Sequence, residues 1–409
     1  MTWIQFRNIV LKILLLLLLT YILNNSTCSY SVAEIEPLKT YESIKSFFSR
    51  KKALSSSEIP QWTDSIVFIN TSFDKELVDH YNSDFVPEGK TPVTNRRLLY
   101  HFLKCANESN NYKYIIVDID LDSVYNDYND SLCSIIPQMK NIVVARSCKS
   151  KILEPLKKKS GLVDYKRNLF SLEFTRFNYG DTEIKSLPLY MYNELTGHDI
   201  KSFLFGLAYF DKWSLCQKSD VILFDIIHKI NEESQDDETN KAEPNYINMN
   251  LFFDSIEERN IVVDSEYLKG AINNKIVIIA DLFGTDKHEA YIGELPGSII
   301  VINAYNYLTK GNHIVKWWKV FFLFLFYLII YIFINSKSQI FDMLKTKYRI
   351  FKSDIFTTLL LFVGWGTFFH FTALILYFCF DIFYNAWYPT LWFTFVPVMS
   401  NLFKLFRKG

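Results

Sequence analysis

The sequence predicts an α/β domain, in which a mostly parallel sheet carries helices on both faces, joined to an α-helical membrane part. Two observations lead to this prediction. Short apolar runs of strand length alternate with segments of helical periodicity, which is typical of a parallel sheet covered by helices. Long apolar segments lie at both ends of the chain, one at the N-terminus and three at the C-terminus.

Predicted strands and helices alternate along the middle of the chain. The first pair is a strand at Asp64–Asn70 and a helix at Asn95–Cys105, whose large apolar side chains fall on one face. A second buried strand, Tyr114–Leu121, ends in acidic residues. The charge-rich segment Lys229–Glu243 is predicted to be a solvated loop. The other elements are a helix at Asp130–Met139, a strand at Asn141–Arg146, a helix at Leu187–Leu195 and a strand at Tyr246–Phe253.

The closing stretch of the domain, Asn274–Gly311, combines a buried strand, a polar loop and a helix. Its apolar run Ile276–Ala280 is typical of a strand that is buried on both faces. A loop with Asp286 and His288 follows, and then a helix at Ser298–Leu308. Loops that follow a parallel strand lie at the edge of the sheet where ligands usually bind.

The first candidate ligand site is Asp118-x-Asp120-x-Asp122, at the end of the second strand. Alternate residues of a strand point to the same side, so these carboxylates are placed to converge on a divalent cation. The alternative, which is the more common arrangement, is that Asp120 and Asp122 simply lie in the loop after the strand.

The second candidate site is formed by Asp281, Asp286 and His288, which follow the strand of the closing stretch. Such residues can bind a metal or form an acid–base pair. The alternative is that they fix the loop through hydrogen bonds to backbone amides. If Asp118 and Asp281 end neighbouring parallel strands, the two candidate sites share one crevice.

The sequence contains no recognised catalytic, metal-binding or cofactor-binding motif. There is no phosphate loop, no dinucleotide glycine pattern after a strand and no Cys-x-x-Cys pair. We therefore expect no metal, no cofactor and no enzymatic activity. Outside the cytoplasm the cysteines allow one disulfide, between Cys105 and either Cys133 or Cys148. The alternative is that these cysteines are isolated, small buried residues.

The two ends of the chain predict a multi-pass membrane protein. Residues 1–23 have a basic start and an apolar run, and we interpret them as an uncleaved signal anchor, with a cleaved signal peptide as the alternative. Residues 24–61 are interpreted as a membrane-proximal linker. Residues 316–403 contain three segments that are long enough to cross the bilayer, and residues 404–409 are a short basic tail. The three segments are Trp317–Asn335, Ile355–Phe380 and Ala386–Phe403.

The distribution of charge predicts the orientation across the membrane. The whole chain has no net charge, but residues 24–315 carry an excess of acidic residues between two basic ends. Because cytoplasmic loops are rich in Lys and Arg, the basic loop Lys337–Lys352 and the C-terminus are placed in the cytoplasm. Residues 24–315 are then a periplasmic domain of an inner-membrane protein. Nucleic acid is not expected as a partner, since phosphate binding needs a concentrated basic face.

Motifs across residues 62–403 occur in the order of a known domain type, apart from residues 205–245. In the closing stretch they are Lys275–Ile279, Asp286-x-His288, Tyr291-x-Gly293-x-x-Pro296-Gly297, Asn303-Ala304 and Gly311. Earlier in the chain they are Ile66–Asp74, Thr94-Asn95-Arg96, Tyr114–Asp120, Leu187-Pro188-Leu189, Glu194–Gly197 and Tyr246–Phe252. With the three apolar segments that follow it, the domain at residues 62–315 resembles a CHASE2 domain.

The resemblance implies a function. CHASE2 domains are extracytoplasmic sensor modules of bacterial signalling proteins and are followed by three transmembrane helices. Members of the family carry a kinase, cyclase or phosphatase-like output domain after the last helix, whereas here Asn401–Gly409 follows. We therefore expect an unknown extracytoplasmic ligand and a separate membrane or cytoplasmic signalling protein as partners, and a homodimer is compatible with this arrangement.

Two alternatives come from other function classes. One is a structural subunit of an envelope membrane complex without catalysis, which an empty, shallow crevice near Asp118 and Asp286 would favour. The other is a metal-dependent hydrolase that uses Asp118, Asp120, Asp286 and His288. The hydrolase requires these side chains to lie within roughly 10 Å of one another, because first-shell oxygen ligands sit about 2–2.6 Å from a metal.

Overall fold

The structure is a computed structural model that describes most of the domain and part of the remaining chain. The described residues are 3–25, 35–41, 43–44, 65–81, 87–121, 128–147, 152–163, 176–178, 185–203, 208–217, 219–221, 246–257, 260–284, 286–329, 331, 354–380, 389–391 and 393–394. Most of the predicted linker at 24–61, the Lys229–Glu243 loop and the 404–409 tail lie outside them.

The strands and helices alternate through the domain as the sequence predicts. The strands are β1 (Ile66–Asn70), β2 (Lys75–Tyr81), β3 (Pro87–Thr94), β4 (Tyr114–Asp118), β5 (Ile142–Arg146), β6 (Ser160–Leu162), β7 (Arg176–Asn178), β8 (Ile200–Phe203), β9 (Ala208–Asp211), β10 (Ser214–Cys216), β11 (Ser219–Val221), β12 (Tyr246–Asn248), β13 (Phe253–Ile256), β14 (Ile261–Val263), β15 (Ile276–Ala280), β16 (Lys287–Ala290) and β17 (Gly293–Pro296). The helices are α1 (Trp3–Asn25), α2 (Arg96–Ser109), α3 (Asn129–Ile135), α4 (Leu187–Thr196), α5 (Ser265–Ile272), α6 (Gly297–Thr309) and α7 (Asp354–Phe380), with further helical residues at 35–41 and 317–329.

The centre of the domain is a parallel sheet with the strand order β12-β1-β15-β4-β5-β6. Strands β1, β4, β5 and β15 are buried along nearly their whole length. Both faces of such strands are covered, which explains why they are continuous apolar runs in the sequence rather than alternating ones. The predicted parallel sheet is confirmed.

Helices cover both faces of this sheet, as predicted. On one face, α2, α3 and α5 pack on side chains such as Val67, Ile115 and Val144. On the other face, α4 and α6 pack on side chains such as Ile116 and Ile278. Because side chains alternate along a strand, each central strand contributes to both apolar layers.

Local sequence determines where α2 and α4 begin and end. The side chain of Asn95 caps α2, since its Oδ1 accepts a hydrogen bond from the backbone N–H of Leu98 at 3.1 Å. Helix α4 has Pro188 in its first turn and ends at Gly197, whose φ of 68° suits glycine. Both predicted helices are confirmed, and α2 extends about one turn beyond its predicted end at Cys105.

The strand predicted at Tyr246–Phe253 is shorter in the structure. It ends at Asn248 and continues as a 3₁₀ turn over Met249–Phe252. Met249 and Phe252 are three residues apart and both are fully buried, which a 3₁₀ turn allows because residues i and i+3 share one side. The ring of Phe252 packs edge-on against Phe102 of α2, with the centroids 5.3 Å apart.

Two further predictions need correction. The loop after β15 is not irregular throughout, because β16 and β17 pair as an antiparallel hairpin. A disulfide between Cys105 and Cys133 is wrong, since both thiols are free and pack against the apolar layer beneath α2 and α3. This is the alternative that the sequence left open. Cys148 lies outside the described residues.

The predicted membrane part is described in pieces. Helix α1, the helix at 317–329 and α7 contact one another through apolar side chains that include Ile13, Tyr327 and Phe369. Among the residues that the structure covers, no helix combines the length and the apolar character needed to cross a membrane. The segments predicted at 317–335 and 386–403 extend past the described residues.

We predict that Gly161→Ala destabilises the domain, because β6 passes too close to the start of α4 for a side chain. A Cβ atom on Gly161 would lie 2.5 Å from the Cα atom of Leu187, so one backbone segment must move. Overpacking of this kind costs about 1–3 kcal/mol of unfolding free energy. Chemical denaturation measures the loss.

Gly270→Ala is the matched control for this prediction. Gly270 is an exposed residue of α5, and a Cβ atom there would have no described atom within 4 Å. Alanine is a better helix former than glycine, so we expect this variant to have an unfolding free energy about 0.5–1 kcal/mol higher than that of the parent chain. If Gly161→Ala were as stable as the parent chain, the close approach of β6 and α4 would be contradicted.

Candidate functional site

A crevice lies at the carboxyl edge of the sheet, past the ends of β15, β4 and β5. Its volume is about 360 Å³, near the lower end of the range for small-molecule sites. This edge of a parallel sheet is where ligands bind in many α/β proteins. Its lining residues are Lys75, Pro92, Val93, Thr94, Asp118, Ile119, Asp120, Ala145, Arg146, Ser147, Val163, Asp281 and Asp286.

Asp118 is the last residue of β4 and stands opposite Ala280, the last residue of β15. Asp118 and Asp281 therefore end neighbouring parallel strands, as the shared crevice requires. The Asp118 side chain is half-buried, and its Oδ2 atom is shielded from solvent and accepts no hydrogen bond from a described residue. Burial, and then the charge of Asp286, raise the pKa of Asp118 to about 8. At neutral pH this carboxyl group therefore carries a proton.

Asp281 has the opposite electrostatic environment. Its carboxylate accepts hydrogen bonds from Lys75 Nζ at 2.5 Å, from Ser72 Oγ at 2.6 Å and from the backbone N–H of Gly284 at 2.8 Å. Burial alone would raise the pKa of Asp281, but the bonds from Lys75 and Ser72 outweigh burial and hold the pKa below its ordinary value. Asp281 thus fixes the loop after β15, which is the structural alternative for this residue.

Gly284 is required by this loop. A Cβ atom on Gly284 would lie 2.1 Å from Oδ2 of Asp281, which is far inside the contact distance. The carboxylate can reach the Gly284 N–H only because no side chain is present there. The loop and its carboxylate therefore depend on each other.

Asp286 lies between the crevice and the start of α6. Its Oδ1 atom is 2.9 Å from Nε2 of His288, so the predicted Asp–His pair is formed. A Cβ atom on Gly297, the first residue of α6, would lie 2.7 Å from Oδ2 of Asp286, so the carboxylate is close to the helix N-terminus. The partial positive charge of a helix N-terminus stabilises a carboxylate in this position.

Two cationic residues that were not predicted also line the crevice. Lys75 begins β2 and is bound to Asp281. Arg146 ends β5, and its Nε atom is buried without a hydrogen-bond partner among the described residues. Lys75 is thus neutralised within the protein, whereas Arg146 retains hydrogen-bonding capacity at the crevice wall.

Asn70 joins the ends of several strands at this edge. Its Nδ2 atom donates to Oδ1 of Asn248 at 2.8 Å, across the β1–β12 pair. Its Oδ1 atom accepts hydrogen bonds from the backbone N–H of Ser72 at 3.1 Å and from the backbone N–H of Leu282 at 3.3 Å. The side chain is fully buried and holds the chain after β1 against the chain after β15.

Helix α6 connects the crevice to the end of the domain. It begins beside Asp286 and ends at Thr309, and the chain then reaches a joint that we define as residues 312–316. At the joint, the backbone N–H of Val315 donates to the carbonyl of Leu215 in β10 at 2.8 Å. The helix at 317–329 starts immediately after it.

A buried group of ionisable side chains lies against the joint. The side chain of Asp211 is only 2% exposed, and its Oδ2 atom is 2.6 Å from Nδ1 of His198 and 3.9 Å from Nε2 of His313. Burial lowers the pKa of His313 to about 4, so this imidazole is neutral at physiological pH. Tyr21 of α1 donates to the carbonyl of Cys216 at 2.8 Å, which also brings α1 to the joint.

The structure gathers four of the five predicted site residues in the crevice: Asp118, Asp120, Asp281 and Asp286. His288 does not line it and instead contacts Asp286. Within the described ranges, no three His, Cys, Asp or Glu side chains form a group able to hold a metal ion. Asp122 lies outside those ranges. Binding of a ligand by these residues stays a prediction.

A scan against protein-family models, a search of curated proteins and a search of solved structures found no match to this chain. The resemblance to CHASE2 domains is therefore carried by the motifs alone. What the crevice can bind follows from its own geometry and charge.

We predict that Asp118→Asn changes stability in a pH-dependent way. The pKa of Asp118 is higher in the folded chain than its ordinary value of 3.8, so its contribution to the free energy of unfolding falls as pH rises through the interval from about 4 to about 8. Asparagine resembles the protonated carboxyl group and avoids this loss. Near pH 4 the variant should match the parent chain, and above about pH 8 it should be more stable, by at most about 1.4 kcal/mol for each unit of the pKa shift.

Asp120→Asn is the control, because Asp120 is exposed on the same crevice. Thermal melting over a pH series checks both variants. A stability difference between Asp118→Asn and the parent chain that does not vary with pH would contradict the raised pKa.

We predict that Lys75→Met, which removes the cation beside Asp281, also changes stability in a pH-dependent way, but that it destabilises the folded chain. The lowered pKa of Asp281 stabilises the folded chain above the ordinary value of 3.8, and this contribution is lost as pH falls through the folded pKa. At neutral pH the unfolding free energy of the variant should be about 1–3 kcal/mol lower than that of the parent chain, which is the usual contribution of a hydrogen bond to a charged group. The deficit should shrink below about pH 4.

Lys90→Met, at an exposed residue of β3 in the same hairpin, controls for the loss of a surface charge. If Lys75→Met and Lys90→Met lowered the unfolding free energy equally at neutral pH, the Lys75–Asp281 pair would contribute no specific stabilisation.

Proposed function

We propose that this chain is a membrane-anchored, extracytoplasmic sensory protein of CHASE2 type, which binds a small ligand in the crevice and signals through a separate partner protein. The observation that carries this proposal is the Asp118 carboxyl group, whose buried Oδ2 atom has no partner among the described residues although it lines a cavity of about 360 Å³. A buried polar atom left unpaired costs about 1–3 kcal/mol. A ligand that bonds to it recovers this cost.

A second observation that supports a binding site is the buried Nε atom of Arg146. Asp118 and Arg146 end the neighbouring strands β4 and β5 and face the same cavity. Two polar groups that have no partner among the described residues and meet at one crevice favour a binding site over a purely structural subunit. The metal-dependent hydrolase lacks a grouped set of ligands among the described residues.

The membrane topology belongs to the proposal and is supported by the sequence. The basic residues of Lys337–Lys352 and of the C-terminal tail favour a cytoplasmic location for both, with the domain in the periplasm. The apolar segments within residues 1–23 and 316–403 would then anchor the chain in the inner membrane.

Helix α6 offers a route from the crevice to the membrane side of the domain. It is a single 13-residue helix that contacts Asp286 at its start and leads into the joint at its end. Rigid elements of this kind transmit small displacements, provided that they have two arrangements. A ligand that binds between Asp118 and Asp286 would bias the position of α6, and with it the helix at 317–329.

We predict that deletion of Phe341–Lys352 abolishes contact with the signalling partner. This segment holds most of the cytoplasmic positive charge between the predicted membrane helices, and so is the surface available to a protein on the inner side. Chemical cross-linking in native membranes, followed by mass spectrometry, should give an adduct in the parent chain that is missing from the deletion variant.

Deletion of twelve residues from the charged segment at 231–242 is the length-matched control and should leave the adduct in place. If every cross-linked protein of the parent chain persisted after deletion of Phe341–Lys352, signalling through this loop would be refuted. A C-terminal tag that proteases remove from intact spheroplasts would refute the proposed orientation.

A further inference from the structure

We infer that the crevice selects a small zwitterionic amine, with its ammonium group between Asp118 and Asp286 and its carboxylate on Arg146. This inference rests on the proposed function and adds the chemical class of the ligand. It comes from the way positive and negative groups are separated along the crevice wall.

Among the described residues, the cation on the acidic side of the crevice is already paired. Lys75 is held by Asp281, which also binds Ser72 and the loop backbone. Asp118 has no hydrogen-bond partner for Oδ2 among the residues described. Asp286 is close enough to Asp118 to oppose its ionisation. Two carboxyl groups that destabilise each other's charge form a favourable site for a compact cation with several donors, such as an ammonium group.

The basic side of the crevice is formed by Arg146. Its guanidinium group presents a fork of N–H donors that fits a carboxylate with two parallel hydrogen bonds. The buried Nε–H has no acceptor among the described residues. The next residue, Ser147, also lines the cavity. An anionic group on the ligand would satisfy this donor.

The spacing of the two sides limits the size of the ligand. In the register of the sheet, Val117 of β4 lies beside Val144 of β5, so Asp118 lies beside Ala145 and Arg146 is one residue further along β5. Adjacent strands are about 4.8 Å apart and each residue adds about 3.3 Å along a strand, so the two backbone positions are roughly 6 Å apart. A molecule that joins an amine and a carboxylate through a short carbon chain spans such a distance and fits within the cavity of about 360 Å³.

Binding of an ammonium group should release a proton. The raised pKa of Asp118 means that the carboxyl group is protonated at neutral pH. A cation beside it favours the carboxylate, so the O–H proton leaves to solvent as the ammonium takes its place.

The experiment is isothermal titration calorimetry on the full chain in mild detergent, at neutral pH, in two buffers with different enthalpies of ionisation. The probes are the unbranched ω-amino acids from glycine to 6-aminohexanoate. For each chain length, the matched primary amine and the matched carboxylic acid serve as controls. We expect saturable binding of at least one amino acid, weaker binding of its two controls, and release of about one proton per bound molecule.

Two variants test the ends of the ligand separately. Arg146→Met should lower the affinity for the amino acid by about tenfold or more and leave the affinity for the simple amine unchanged, because it removes only the carboxylate contact. Asp118→Asn should lower the affinity for both the amino acid and the amine, and it should abolish proton release on binding. Thermal melting confirms that each variant is folded before titration, and Arg146→Met still tests the inference if Asp118→Asn is unstable.

Three results would overturn the inference: carboxylic acids that bind as well as the amino acids, binding that is unaffected by Asp118→Asn, or no binding across the whole amino-acid series. If carboxylic acids bound as well as the amino acids and this binding were lost in Arg146→Met, the crevice would be a site for another class of ligand. The proposed sensory function would then remain intact. The cross-linking in native membranes judges that function independently, since it requires no knowledge of the ligand.

Discussion

The parallel pairing of β4 with β15 is the constraint on which the rest of this structure depends. Tyr114 to Asp118 pair in order with Ile276 to Ala280, so the chains that leave both strands emerge side by side. A shift of one residue would turn every side chain of a strand to the opposite face and place apolar residues of one helix layer in the other. Because both faces are buried, that shift is strongly disfavoured. The position of Asp118 beside Asp281 is therefore a consequence of core packing.

Two aspartates at this edge show how surroundings assign different roles to one residue type. Asp281 is surrounded by donors and holds the loop after β15 in place. Asp118, a few ångströms along the same edge, has an apolar strand behind it and another carboxylate near it. Hydrogen bonds offset the cost of burying the charge of Asp281, whereas Asp118 avoids that cost by keeping its proton at neutral pH. The first residue stabilises the crevice, and the Oδ2 atom of the second has no hydrogen-bond partner among the described residues.

Helix α6 gives the crevice a mechanical connection to the remainder of the chain. Nearly all of its residues are buried, and it packs as a unit against α4 and the sheet. It begins at Gly297, where any side chain would collide with Asp286. It ends close to the buried Asp211 and its two histidines, where α1 also makes contact. One packed element thus connects Asp286 to the joint.

The sequence by itself determined the class of the fold, the central strands and the helices α2, α4 and α6. These follow from local signals: continuous apolar runs, an Asn cap, an early proline and a terminal glycine. It also placed Asp118, Asp120 and Asp281 at strand ends and Asp286 in the loop that follows one of these strands. Only the tertiary structure decided that β15 lies between β1 and β4, because strand order depends on contacts between distant segments that no local pattern records. That order brought Lys75 and Arg146 to the same crevice. It also separated Asp281, which fixes a loop, from Asp118, whose Oδ2 atom has no hydrogen-bond partner among the described residues.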